Sequence, residues 1–221
     1  MKISYGITVH NEAEELKRLL EVIYETMDDD DEVVVCVDGD DDAVRSELDV
    51  YTKKFSGVHK SMIVYDRKLN GDFAAQKNSV IEKSSGDYIF HIDADEYPHK
   101  VLLLQIKRII EMNDNVDLIW IPRVNTIEGM TQEHIQKWSW RVTEKGWVNY
   151  PDYQARVFRN DKDIRWTRPL HEHITGCKTY SHLPPYEELS LYHPKTIQKQ
   201  EQQNMFYIDN FSKDLLVRKG Q

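Results

Sequence analysis

Apolar and polar positions follow two rhythms along the first half of this chain. Ile3–Val9 is an apolar-rich segment of strand length, while Glu12–Thr26 repeats its apolar residues at Leu16, Leu19, Leu20 and Ile23, the spacing of one helix face. Glu32–Asp38 is apolar from Val33 to Val37, as a strand covered on both faces requires. The same pass predicts a helix over Asp42–Phe55, a strand over Met62–Tyr65, a helix over Asp72–Ser84 and a strand over Asp87–Asp93. Pro98 is placed at the start of a helix carrying Leu102–Met112, and Asp117–Ile121 reads as a fifth strand. Asp28–Asp31 reads as a solvated loop. After Pro122 the rhythm loosens, leaving one strand over Gln154–Phe158 and a closing helix over Ile197–Leu216.

Alternating strands and helices predict an α/β fold with a mostly parallel sheet and helices on both faces. The expected division is an α/β half over residues 1–122 and an irregular half of the same domain over residues 123–221. Ligands of such sheets sit outside the carboxyl ends of the strands. His10-Asn11, Asp38 and the pair Asp93/Asp95 all fall at those ends.

The stretch Gly86-Asp87-Tyr88-Ile89-Phe90-His91-Ile92-Asp93-Ala94-Asp95-Glu96 carries the most pointed chemistry. Strand alternation aims Asp93 and Asp95 to the same side. Paired carboxylates suit a hard divalent cation, Mg²⁺ or Mn²⁺, that completes its shell with substrate phosphates. Taken alone, the same spacing also describes two solvated acids at a strand end.

Composition narrows the classes. Apolar residues make up 40% of the chain, enough for a buried core. The net charge of −9 lies in residues 1–110, with 14 basic and 23 acidic side chains against 15 of each in the remainder. That balance argues against default nucleic-acid binding. The local cluster Arg156, Arg159, Lys162, Arg165 and Arg168, diluted by Asp161 and Asp163, keeps an anionic partner open. Cys36 and Cys177 form no CxxC pair, so neither a zinc nor a disulfide framework is predicted. No apolar run reaches membrane-spanning length and no signal-peptide core is visible, so a cytoplasmic protein is expected, with peripheral membrane contact open.

Several motifs in order give these residues a family. Ile7-Thr8-Val9-His10-Asn11-Glu12, then Val35-Cys36-Val37-Asp38, Phe73-Ala74-Ala75-Gln76-Lys77-Asn78 and Asp93-Ala94-Asp95-Glu96 occupy the first half. Arg156-Val157-Phe158-Arg159, Leu170-His171-Glu172 and Tyr192-His193 follow. From Ile3 to about Phe211 the chain resembles family 2 glycosyltransferases of the Rossmann-like GT-A fold. It looks most like the small soluble bacterial and phage members related to lipopolysaccharide-core glucosyltransferases. His10 stands for the usual Tyr, Lys77 for the common Arg, and Gly39-Asp40-Asp41-Asp42 for Gly-Ser-Thr-Asp-Gly.

The resemblance implies transfer of a sugar, with inversion, from a nucleotide-diphosphate sugar, a UDP-sugar first, to a hydroxyl acceptor. It implies Asp95 as metal ligand, with His193 completing the shell, and Asp93 on the ribose or a metal-bound water. Asp38 would meet the donor's base, or else cap a helix, with Thr8, Asn11 and Glu12 beside it. Lys77 would pair with a phosphate or with Asp95, or lie on the surface. Glu172 is the expected general base and Asp152 the reserve. The opposing reading of Glu172 is an ion pair with Arg165 or Arg168. Glu96 is either close to the metal or exposed, and His193 either a ligand or structural. Trp138, Trp140 and Trp147 either stack on a sugar or a base or fill core. The acceptor is a surface saccharide or a hydroxymethylated base in phage DNA. A nucleotidyltransferase and a non-catalytic nucleotide-sugar-binding module are the alternatives.

Overall fold

The strand Ile3–Val9 forms as read and becomes β1, the centre of the parallel part of the sheet. The computed structural model describes residues 1–58 and 60–211. Helix α1 (Ala13–Thr26) buries Leu16, Leu19, Leu20 and Ile23, the predicted stripe. β2 (Glu32–Val37), α2 (Asp42–Ser56), β3 (Ser61–Asp66), α3 (Phe73–Lys83) and β4 (Tyr88–Asp93) follow close to the predicted bounds. Val33, Val35 and Val37 of β2 join the core with α1, α2 and α4 (Lys100–Met112), while Val34 and Cys36 face Val80 of α3 on the other side. This explains the unbroken apolar run. Gly6 lets α3 approach: a Cβ there would stand 2.5 Å from Val80 Cγ1.

The remaining strands are β5 (Tyr97–Pro98), β6 (Leu118–Glu128), β7 (Val148–Arg159), β8 (Arg165–Thr167), β9 (His173–Thr175), β10 (Tyr180–His182) and β11 (Leu191–Thr196), with helices α5 (Gln132–Lys137) and α6 (Ile197–Asn210). The large sheet runs β3-β2-β1-β4-β7-β6-β11-β5, with β10 also on β6. β7 is antiparallel to both of its neighbours, β4 and β6. β8 and β9 make a separate two-stranded ribbon.

Three readings change. Pro98 does not open α4; it lies in β5 opposite Leu191, and the His99 side chain caps the helix by accepting from Val101 N at 3.1 Å. The strand predicted to end at Ile121 runs to Glu128, straight through Pro122. β10 pairs with Leu118–Trp120 and β11 with Arg123–Glu128, so Pro122 falls in the interval between them, where no partner needs its missing N–H. The second half is therefore not irregular where it matters, because β7 and β11 extend the same sheet. The closing helix ends at Asn210, and positions 212–216 of the prediction lie outside the described residues. No helix among the described residues is long and apolar enough to cross a membrane.

Candidate functional site

The register of the sheet brings the predicted polar residues to one edge. Thr8 stands opposite Asp93 and Val9 opposite Val37, so β1, β2 and β4 end together. Glu12 steadies the turn after β1, accepting from His10 N at 2.9 Å and Asn11 N at 3.1 Å. Asp38 is not a helix cap; Asp41 caps α2, accepting from Val44 N at 2.9 Å. Asp38 instead accepts from Leu69 N at 3.0 Å with one oxygen and faces His10 at 3.5 Å with the other.

Behind this edge lies an ion-pair network. Arg156 donates to Asp93 Oδ2 at 2.7 Å and to both oxygens of Glu96 at 2.7 and 3.0 Å. Arg123 reaches Glu96 Oε1 at 2.6 Å and Asp152 Oδ2 at 2.6 and 3.0 Å. Glu96 is thus buried between two guanidinium groups and is not exposed. Asp152 also accepts from Gln154 at 2.9 Å.

Lys77 is neither a surface lysine nor a partner of Asp95. It is buried on α3, with Nζ 3.1 Å from Asp93 Oδ1 and 2.6 Å from Glu172 Oε1. The partner of Glu172 is therefore Lys77 and not Arg165 or Arg168. Burial pushes the Glu172 carboxyl up, but Lys77 outweighs it and holds the group below its usual value. The same helix positions the segment carrying Glu172. Asn78 makes a two-way bond with the backbone of Trp166, 2.9 Å each way, and Phe73 N donates to Pro169 O at 2.9 Å.

His193 and Asp95 meet at 3.1 Å, Nε2 to Oδ2. The Asn125 amide donates to Asp152 at 2.9 Å, so its oxygen accepts from His193 Nδ1 at 2.8 Å. Burial, with the Arg123 charge nearby, pushes His193 toward its neutral form. With Nδ1 donating to Asn125, Nε2 is the ring nitrogen left to face the Asp95 carboxylate. A proton on Nε2 or a divalent cation held by both groups completes that contact. Adjacent ligands about 2.1 Å from an octahedral ion stand about 3.0 Å apart, close to the separation found here. Asp95 and His193 therefore fit a divalent metal. Among the described residues no group of three or more His, Cys, Asp or Glu side chains is arranged to hold one, so any further ligands would come from substrate or water.

A cavity of about 660 Å³ opens between α5 and α6, lined by Trp138, His171, Glu201, Met205 and Tyr207; Glu172 follows His171 in the chain. Burial and the nearby Glu172 charge push Tyr207 up to about 12, so its hydroxyl keeps its proton. Trp138 already packs on His134 and Trp140, with centroids 5.5 and 4.7 Å apart, and Trp166 is core. A second cleft of about 630 Å³ near Arg18 and Tyr97 holds none of the network's carboxylates. The basic cluster is dispersed: Arg156 is buried in the network, Arg159 faces Asp117 at 3.7 Å, and Arg165 donates to backbone carbonyls.

Arg123, Asn125, Lys195 and Tyr207 escaped the sequence reading. Arg123 and Asn125 lie beyond Pro122, where the strand was taken to have ended. Lys195 had a visible signal, two positions past His193 on an extended segment and so on the same face.

The fold is that of the GT-A glycosyltransferases. Crystal structures of S. aureus TarS superpose at a TM-score of 0.59 with 16% identity, over 94% of this chain and 39% of that one. The TarS complex with UDP-GlcNAc gives 0.59 at 17% identity, over 88% and 59%. The profile of glycosyl transferase family 2 matches residues 4–212, and the chain belongs to that family. The poly(ribitol-phosphate) beta-glucosyltransferase of Bacillus spizizenii is 34% identical over 48% of this chain and 16% of its own length. The prophage-derived glycosyltransferase SunS of Bacillus subtilis is 25% identical over 86% of this chain and 39% of its own. The chain thus spans well under half the length of these two relatives.

Proposed function

We propose that this chain is the catalytic part of a metal-dependent, inverting glycosyltransferase that moves a sugar from a UDP-sugar to a hydroxyl of a saccharide polymer. The observation that carries the reading is the His193 imidazole held 3.1 Å, Nε2 to Oδ2, from the Asp95 carboxylate at the ends of the central strands. A donor diphosphate supplies the oxygen ligands that this two-residue set lacks. UDP is favoured by the likeness to TarS, which was solved with UDP-GlcNAc. A polymer acceptor is favoured by the relative named for poly(ribitol-phosphate). The dispersal of the basic cluster removes the main support for modified DNA.

In this reading Asp38 meets the donor's base, and Thr8, Asn11 and Glu12 frame the nucleoside. Asp93, held by Arg156 and Lys77, accepts from the ribose. Residues 1–122 supply most of the donor side and residues 123–221 the acceptor side. Asp95 and His193 hold Mn²⁺ or Mg²⁺, the imidazole favouring Mn²⁺. The ion, when bound, offsets the negative charge that grows on the departing diphosphate. The acceptor enters through the cavity between α5 and α6. Glu172, kept ionised by Lys77, takes the proton from its hydroxyl. The freed oxygen bonds to the anomeric carbon opposite the diphosphate, whose own bond to that carbon breaks and takes its electrons away. Asp152 is the poorer base, because Arg123, Asn125 and Gln154 already occupy its oxygens.

The test is a thermal-shift series of UDP-sugars with Mn²⁺ or EDTA, followed by a donor-hydrolysis assay without acceptor. Stabilisation that needs both nucleotide and metal, and that disappears together with hydrolysis in Asp95→Ala, is the expected result. A wild-type protein that no nucleotide stabilises under either condition rejects the reading.

A further inference from the structure

We propose that Lys195 grips the donor's diphosphate and so sets the preference for nucleoside diphosphates over monophosphates, an inference that rests on the transferase reading above. Of the cations Lys77, Arg123, Arg156 and Lys195 at the candidate site, the first three are committed. Lys77 sits within 3.1 Å of two carboxylates, Asp93 and Glu172. Arg156 spans Asp93 and Glu96, and Arg123 spans Glu96 and Asp152, each through contacts of 2.6–3.0 Å.

Lys195 differs. Its side chain is 8% exposed, and the nearest carboxylate, Asp95 Oδ2, stands 3.7 Å away, beyond hydrogen-bond distance. Among the described residues its hydrogen bond goes to Gln203 Oε1 at 2.8 Å. An ammonium has three donors, so two remain to be used. A buried charge left this short of partners is costly, and a ligand anion is what would complete it.

The placement identifies the anion. His193 and Lys195 lie on one face of β11, and the two contacts to Asp95 Oδ2, at 3.1 and 3.7 Å, bring both side chains to one carboxylate oxygen. A diphosphate bound at Asp95 and His193 therefore lies within reach of the ammonium. The α6 helix holds the lysine in place. Gln203 accepts from Lys195 with its oxygen and donates to the Tyr207 hydroxyl at 2.9 Å with its nitrogen. That chain links the metal-side lysine to the tyrosine next to Glu172.

The experiment titrates the whole chain with UDP, UMP and inorganic pyrophosphate by calorimetry, with Mn²⁺ and again in EDTA. Wild-type protein is expected to bind UDP at least about tenfold more tightly than UMP, the worth of one charge-assisted contact. In Lys195→Gln the ratio should fall to about twofold in both buffers with UMP affinity unchanged, and pyrophosphate should no longer compete with UDP; Lys195→Arg should keep most of the ratio. A merely structural lysine would weaken both nucleotides alike. Lys195→Met, of similar buried volume, replaces the amide if that variant fails to fold. An intact ratio in Lys195→Gln overturns the proposal, and a ratio lost in Lys77→Gln instead assigns the grip to Lys77. Wild-type protein that binds neither UDP nor, in parallel titrations, GDP, CDP or ADP brings down the transferase reading and this proposal with it. Good UDP binding with an unmoved ratio sinks Lys195 alone.

Discussion

The two ends of the central strands both bury carboxylates, and they treat them in opposite ways. Where β1 and β2 begin, Glu32 accepts from Ser4 Oγ at 2.6 Å, Ser85 N at 2.5 Å, Ser85 Oγ at 2.7 Å and Lys2 Nζ at 2.7 Å. Asp31 accepts from Ile3 N at 2.8 Å and pairs with Lys107 at 2.9 Å. The donors there are mostly hydroxyls and main-chain amides, and each acid is closed off. Where the same strands end, the acids face side chains from distant segments. Asp95 and Glu172 keep room for something more. One edge spends its carboxylates on holding the fold, and the other keeps them available for chemistry.

Substitutions at the two edges should therefore separate activity from stability. Glu172→Gln should cost about 10²–10⁴ in kcat, the usual worth of a general base, while the nucleotide-induced thermal shift survives. Loss of that shift together with activity would mean that Glu172 serves binding and not proton transfer. Glu32→Ala should leave kcat of the folded enzyme alone and lower the unfolding free energy by roughly 2–4 kcal/mol, measured by urea denaturation, because several buried donors lose one acceptor. A Glu32 variant of wild-type stability would break the comparison.

Lys77→Met should act more mildly, by about tenfold at neutral pH, and through a shift. Lys77 holds the Glu172 carboxyl down, so removing it raises that value, and the acid limb of the kcat profile moves to higher pH. An unmoved limb would separate Lys77 from the base. The smallest effect concerns acid stability. The donors around Glu32 overcome its burial and pull it down from 4.5 to about 2 in the folded chain. Its contribution is complete above pH 4.5 and is lost as pH falls toward 2. Glu32→Gln should flatten that part of a stability-against-pH curve and lower the level above pH 5 without changing its slope there.

The first half was legible because each strand and helix there writes its burial into its own sequence. β2 shows both faces covered, and the α1 stripe matches its buried residues one for one. Motif order brought Asp95 and His193 forward together, and the structure puts the two side chains in contact. The partners were not legible, since a pairing such as Lys77 with Glu172 joins α3 to a ribbon that no local pattern announces. Pro122 hid most of the rest. A proline usually ends a strand, and nothing local reveals that β10 stops and β11 starts on either side of it. Once the strand was cut there, Arg123, Asn125 and the outer side of the network fell out of view.

One helix, α3, carries Lys77 and also fastens the Glu172 segment through Asn78 and Phe73. Glu172, the proposed proton acceptor, and Lys77, its ion-pair partner, are therefore tied to a shared carrier. The spacing of the two charges is thus set by one helix and its few tethers, where a site assembled from independent loops would depend on several.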